Sequence, residues 1–473
     1  MGVNTRKVLR LGGAVAAALV LSGPLQAAED PAVAEQLRKV IERLQQLEQR
    51  NTELERQLRA LQARPAEAAA AAPAPVPAAA PGWGGAEPLP AGEGEPEGSK
   101  FEGGVLLVGQ RVNARGSSDG ISQSRLNYRG DLAVSLPAGS IGEAQGTAFA
   151  QVRFGQGTGV GLRPTHTSTV NSVGFETGAG PDDSFAILAQ AGYQLEWALD
   201  GGGFNDQKGR RVELTLGKLD VFTLFDQNAV AGDEGAQFLN NVFVHNPLLD
   251  AGGDIGADAY GFAPGLRLGW FDTNGQWAWG VSAGAFGAGK GANFSGGLGK
   301  PFTIVQFEVS PLQINGEPRG SYRVYAWSNG RSSDLAGNVQ RHSGLGVSVD
   351  QRLGREWNLF ARWGKRGSGD GSFDDALTLG FEHGGRLWGR GRDAVGAAFG
   401  TLRTGSAWRD ATADGTLAGY AASGNEQLLE LYYRMKLNEH LEVSPDFQWI
   451  RRPGGDGLAP TVRVFGVRAS FGF

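Results

Sequence analysis

From residue 101 onward the chain alternates apolar with polar or small residues in short runs, each closed by turn residues. The final run shows the pattern most cleanly. Phe465, Val467, Ala469, Phe471 and Phe473 fall on one face of an extended strand, and Val464, Gly466, Arg468, Ser470 and Gly472 on the other. At 440–452, Leu441, Val443, Pro445, Phe447 and Trp449 oppose Glu442, Ser444, Asp446, Gln448 and Arg452. At 425–437, Leu429, Leu431, Tyr433 and Met435 oppose Glu430, Tyr432, Arg434 and Lys436; at 123–136, Leu126, Tyr128, Leu132 and Val134 oppose Arg125, Asn127, Arg129 and Asp131. One such strand suits a soluble sandwich equally well. A chain that stops on an aromatic strand suits a closed barrel, where the last strand must pair with the first.

The runs number sixteen: 101–113, 123–136, 144–155, 184–198, 210–219, 258–272, 275–287, 302–311, 318–329, 341–353, 356–366, 374–384, 394–404, 425–437, 440–452 and 460–473. Their connections alternate in length. Asp272 to Gly275, Ile314 to Glu317, Leu353 to Arg355 and Leu437 to His440 are tight turns, whereas 156–183, 220–257, 288–301, 330–340 and 405–424 are long. Short turns at one end and long loops at the other, on an even number of strands, predict an all-β, 16-stranded antiparallel outer-membrane barrel over 100–473. Trp270, Trp277, Trp357, Trp363 and Trp449 lie near the expected strand ends, where interfacial aromatic belts form.

Before the barrel the pattern changes three times. Residues 1–27 read as a secretory signal: Arg6, Lys7 and Arg10, then the apolar stretch from Leu11 to Leu21, then Leu25-Gln26-Ala27. Residues 28–64 carry a heptad, with Leu37, Leu44, Asn51 and Leu58 at a, Val40, Leu47, Leu54 and Leu61 at d, and Arg43 with Glu48 and Arg50 with Glu55 at pairing positions. A self-associating coiled coil in the periplasm is expected, with a helix packed on another domain as the alternative. Residues 65–99 are Ala/Pro-rich, a linker without the pattern of a core.

Composition narrows the function. The 76 glycines suit tight turns and closely packed strands, and with no cysteine the chain has no disulfide, thiol nucleophile or thiolate metal site. Losing the signal removes three positive charges and no acid, moving the net charge from −5 to −8, so nucleic acid is not an expected partner. Mean hydropathy is −0.25, and no later stretch suits a membrane helix. His166, His245, His342, His383 and His440 are scattered without metal-ligand spacing, and no Gly-x-Ser-x-Gly elbow occurs, so neither an enzyme nor a cofactor is expected.

Two blocks carry a family resemblance. Gly217-Lys218-Leu219-Asp220 runs through Phe225-Asp226-Gln227-Asn228 and Asp233-Glu234 to Gln237-Phe238-Leu239-Asn240. Asn425-Glu426 leads through Glu430-Leu431-Tyr432-Tyr433-Arg434 to Pro445-Asp446-Phe447-Gln448-Trp449-Ile450 and Pro453-Gly454-Gly455. Both resemble the carbohydrate-selective porins of the OprB type. The resemblance implies a sixteen-stranded outer-membrane channel for sugars, often trimeric, with loop three (220–257) folded into the pore. Lys218, Asp220, Asp226, Asn228, Asp233, Glu234, Phe238 and Asn240 are then candidate constriction residues. Sugars offer hydroxyls to the carboxylates and amides, and apolar C–H faces to the aromatics. Arg125, Arg129, Arg153, Arg211, Arg267, Arg323, Arg362 and Arg434 are expected on the inward face, where a guanidinium can bind hydroxyls or simply hold the loop. Carbohydrate solutes, outer-membrane lipid and the barrel-insertion machinery, reading the C-terminal strand, are the expected partners. A tether, with the coiled coil joining the envelope layers and the barrel as anchor, is the competing function.

Overall fold

The computed structural model describes residues 99–472 apart from 168, 175–183, 201–208, 250–259, 290–298 and 312–318. The signal, the coiled coil, the linker up to residue 98, the turn at 314–317 and Phe473 lie outside the described residues. The sixteen expected strands are present: β1 (Lys100–Val112), β2 (Gln123–Ile141), β3 (Ala144–Gln156), β4 (Ser184–Ala198), β5 (Arg210–Asp220), β6 (Phe262–Asp272), β7 (Trp277–Phe286), β8 (Phe302–Pro311), β9 (Gly320–Ser333), β10 (Val339–Leu353), β11 (Trp357–Ser368), β12 (Phe373–Gly384), β13 (Ala394–Thr404), β14 (Glu426–Lys436), β15 (Leu441–Arg451) and β16 (Val462–Gly472). Each pairs antiparallel with its sequence neighbours, and β16 pairs β1, so the sheet closes. Closure leaves no unpaired edge, which a hydrocarbon surrounding would not tolerate.

The two faces sort as the alternation predicts. Leu126, Leu188, Leu268, Val305, Leu345, Leu379, Leu431 and Phe465 stand exposed on the outside. At the alternate positions of the same strands, Asn127, Arg267, Gln306, Ser348, Thr378, Glu430 and Val464 are buried on the inside. Trp270 and Trp279 pack at 4.5 Å, and Trp357 and Phe381 at 5.0 Å, toward the short-turn end. Trp363 is a correction: it lies in the middle of β11 rather than at its end.

Two connections differ from expectation. β2 runs past 136 to Ile141, because a register shift between Pro137 and Ser140 absorbs a proline that has no N–H to give the ladder. The expected long connection 330–340 is a tight hairpin. Asp334 accepts from the Ala336 and Asn338 amides and replaces the ladder bonds there, letting β9 and β10 extend.

Candidate functional site at the pore constriction

The connection after β5 enters the lumen. Its side chains and amides meet inward residues of β2, β8, β9, β10, β11, β14, β15 and β16, which a single segment can do only by crossing the barrel interior. Asp220 starts it, accepting from the Phe222 amide at 2.8 Å and capping a short turn of helix (Val221–Thr223).

Asp226 is the first anchor. It takes the left-handed backbone (φ 55°) that few non-glycine residues adopt. Its carboxylate accepts from Tyr325 at 2.8 Å and the Asn246 amide at 2.7 Å, and pairs with Arg362 at 3.1 Å. Arg362 also donates to the carbonyls of Ala231 and Phe243, at 2.6 and 2.7 Å. Next, the Asn228 amide donates to Ser348 and the Val349 carbonyl, while its oxygen accepts from Val230 and Ala231.

Farther round the barrel, Glu430 accepts from the amides of Leu239 and Asn240. Asn240 donates to Gln448 at 3.0 Å and caps helix α1 (Asn241–Val244). Phe238 is fully buried against Phe243, Phe360 and Tyr432, with ring centroids at 5.0–5.6 Å. Arg468 donates to the carbonyls of Glu234 and Gln237, both at 2.8 Å, and Arg434 reaches the Ala236 carbonyl. These contacts lay the loop mainly along β8–β11 and β14–β16.

On the wall from β2 to β6, guanidinium and carboxylate groups alternate. Asp131 accepts from Arg129 (3.1 Å), Gln151 (2.8 Å) and Arg153 (2.7 Å). Glu213 pairs with Arg211 at 2.7 Å and Arg267 at 2.8 Å. Arg153 and Lys218 lie over the Phe262 ring, at 5.3 and 5.9 Å. Where the loop meets this wall, Glu234 pairs with Arg129 at 2.8 Å. Burial alone would push the Glu234 carboxyl up, but the Arg129 guanidinium, with Arg153 and His245 behind it, holds it lowered to about 2. Burial and the adjacent Glu234 push Asp233 the other way. His245 stacks on Phe222 at 3.6 Å beside these acids.

A model of the family described as carbohydrate-selective porin, OprB family, matches residues 153–473. The chain belongs to that family. Among solved structures, a high-pH structure of Pseudomonas putida OprB aligns over 80% of this chain and 94% of its own, at 18% identity and TM-score 0.62. The outer-membrane channel DcaP of Acinetobacter baumannii aligns over 80% and 99%, at 13% identity and TM-score 0.47. A search of curated protein sequences returns no match. The porin is thus an outer-membrane channel for carbohydrate diffusion.

The porin distributes the sequence-derived residues over two tasks. Asp226, Asn228, Phe238, Asn240 and Arg362 are buried in the loop's anchorage, so they face protein groups and not the water path. Asp233 accepts from the Gly235 amide at 2.7 Å and shapes the loop's turn. Arg129, Arg153 and Glu234 gather where loop and wall meet, while Arg211 and Arg267 share Glu213 beside Phe271, nearer the short-turn end of β5 and β6. Arg323 pairs with Asp350 and Arg434 with Glu382, both at 3.0 Å on the opposite wall. Arg125 is exposed at the outer end of β2. The acids facing most of these arginines come from the barrel wall rather than from loop three.

Two contributors escaped the sequence reading. Arg468 occupies the polar face of the last strand, so its inward direction was legible, and only its grip on the loop was not. Residues 157–167 and 169–174, after β3, also fold inward. The Val170 carbonyl accepts from Gln110 and Gln448, Ser172 donates to the Leu239 carbonyl, and Asn241 donates to Thr169. No periodic signal marks that segment. Its His166 donates or accepts at Thr404 and is held neutral, lowered to about 3 by burial and by Arg409.

Proposed function

We propose that sugars pass between loop three and the β2–β6 wall, and that the alternating groups there make the passage substrate-selective. The carrying observation is that Asp131, Arg153, Arg211 and Glu234 keep 25%, 19%, 34% and 20% of their side chains exposed while bonded to protein partners. Such groups are held in place yet can exchange bonds with a hydroxyl. A sugar loses water on entering, and each bond replaced has a net value of about 1 kcal/mol, about twice that with a charged partner. The half-buried Phe222 offers an apolar surface for C–H faces. Lys218, Asp220 and Asp233 then act at the loop's edge, and the anchored residues keep the opening narrow.

The test is sugar block of ion current in planar bilayers, across a panel of mono- and oligosaccharides. Arg153→Gln and Arg211→Gln each weaken block about five- to thirty-fold and shift the reversal potential, because each removes a charge. Wild-type block and reversal potential in both variants would place selectivity elsewhere. Assembly as a trimer, a periplasmic coiled coil at 28–64 and insertion directed by the last strand complete the proposal, on sequence grounds alone.

A further inference from the structure

The short-turn end of an outer-membrane barrel faces the periplasm and the inner leaflet. There the turn after β12 folds back against the outside of the wall. Trp388 donates to the Tyr433 hydroxyl at 3.0 Å, and Tyr433 donates to Asp393 at 2.6 Å. His383 is enclosed between Trp357, at 4.4 Å, and Trp388, at 5.9 Å. Arg390 also holds Asp393, which accepts from the Lys436 amide, and Gly389 closes the turn at φ 76°. Arg386 pairs at 3.1 Å with Glu356 of the turn after β10, joining the two turns. The result is a fixed aromatic shelf with Leu387 projecting from it, 81% exposed.

Around this shelf stand four exposed guanidiniums, Arg355, Arg386, Arg390 and Arg392. Glu356 and Asp393 occupy two of them. Arg355 and Arg392 have no carboxylate partner among the described residues. Among the described residues, the other short connections carry Glu143, Asp200, Asp272 and Glu439 at or beside their turns, against Arg210, Arg319, Lys436 and His440. Positive charge is thus gathered on one sector of the rim, over an apolar shelf at the membrane interface.

We propose that these adjoining turns bind the headgroup of an anionic inner-leaflet phospholipid. Arg355 and Arg392 meet the phosphate, and Leu387, Trp388 and Trp357 sit against the upper acyl chain. Guanidinium forks match phosphate oxygens, and tryptophan suits the level where apolar chain meets wet headgroup. The apolar shelf favours a lipid over a soluble anion or the peptidoglycan mesh, neither of which has acyl chains to cover it.

The test uses the full-length porin relipidated with equal phosphatidylglycerol and phosphatidylethanolamine, and native mass spectrometry of the lipid retained. The wild type retains phosphatidylglycerol in excess. Arg355→Gln and Arg392→Gln each reduce that excess about five-fold, and the double variant about 25-fold, the effect expected of a basic residue at an anionic leaflet. Both changes leave the Arg386–Glu356 and Arg390–Asp393 pairs intact, so heat-modifiable mobility and conductance stay normal. Leu387→Ser, at a site with no packing role, also weakens retention. Unchanged retention in the double variant overturns the proposal, as does equal retention of both lipids by the wild type. Displacement by millimolar inorganic phosphate, or loss of peptidoglycan co-sedimentation with lipid retention unchanged, overturns it too.

Discussion

Arg362→Met tests whether loop three is a docked element or merely a crowded one. The guanidinium is 1% exposed and holds the side chain of Asp226 together with the carbonyls of Asp226, Ala231 and Phe243. Methionine preserves much of the volume but leaves Asp226 buried without its counter-charge. Breaking a buried pair from one side costs about 3–5 kcal/mol, and about 3 kcal/mol changes an equilibrium by two orders of magnitude. The barrel does not share that cost, because β11 remains bonded along its length to β10 and β12. The variant should insert and run heat-modifiably, yet show higher, noisier single-channel current, weaker sugar block and proteolytic access to residues 226–246. Adding Asp226→Leu removes the stranded charge and should restore part of the quiet current, although Tyr325 and Asn246 lose their acceptor. Quiet, sugar-blocked, protease-resistant channels from Arg362→Met alone would refute the anchoring argument.

The fold was legible because period-two alternation acts residue by residue and needs no knowledge of neighbours. It failed only where local chemistry overrode it, at Pro137 and at the Asp334 hairpin. The inward direction of Arg129, Arg153, Arg211, Arg267 and Arg468 came from the same rule. Their partners did not. Asp131 meets Arg153 because β2 and β3 pair in that register, and Glu213 meets Arg267 through the pairing of β5 with β6. Register between strands is set by turn geometry and closure, which alternation along one strand does not encode. Loop three posed a harder problem. A loop that binds hydroxyls and a loop that is tied to a polar wall need the same amides, carboxylates and aromatics. Only burial separates Asp226 and Asn240, which hold the loop, from Glu234, which borders the opening.

Further outcomes follow from the same geometry. Glu234, lowered to about 2, keeps its ion pair with Arg129 down to that range, so its contribution to loop docking is present above about pH 4.5 and fades only toward pH 2. Asp233, shifted upward, titrates before Glu234, so Asp233→Asn should remove part of the acid-induced change in reversal potential while Glu234→Gln lowers stability at neutral pH. His166 is disfavoured as a cation in the fold, so docking of residues 157–167 and 169–174 should weaken as pH falls from 6.5 toward 3, read by hydrogen exchange, and His166→Gln should flatten that dependence. Deleting residues 28–99 should leave conducting, heat-modifiable barrels, because β1 begins at Lys100 and pairs on both sides without them; properly inserted but silent protein would count against this. The last outcome links the wall's packing to the loop's anchor. Gly346 lies beneath the Tyr325 ring, and a Cβ there would sit 2.2 Å from it, so Gly346→Ala must move the ring. That ring carries the hydroxyl that holds Asp226 at 2.8 Å. Overpacking of this kind costs about 1–3 kcal/mol, and part of it falls on the anchor rather than on the strand. Gly346→Ala should therefore raise open-channel noise in the manner of Arg362→Met but to a smaller degree. Gly130→Ala, which displaces the Phe154 ring on the face of β3 opposite Arg153, should leave the Asp226 anchor alone. Equal noise in both glycine variants would mean that ring displacement in general disturbs the current, and that Tyr325 has no particular hold on the loop.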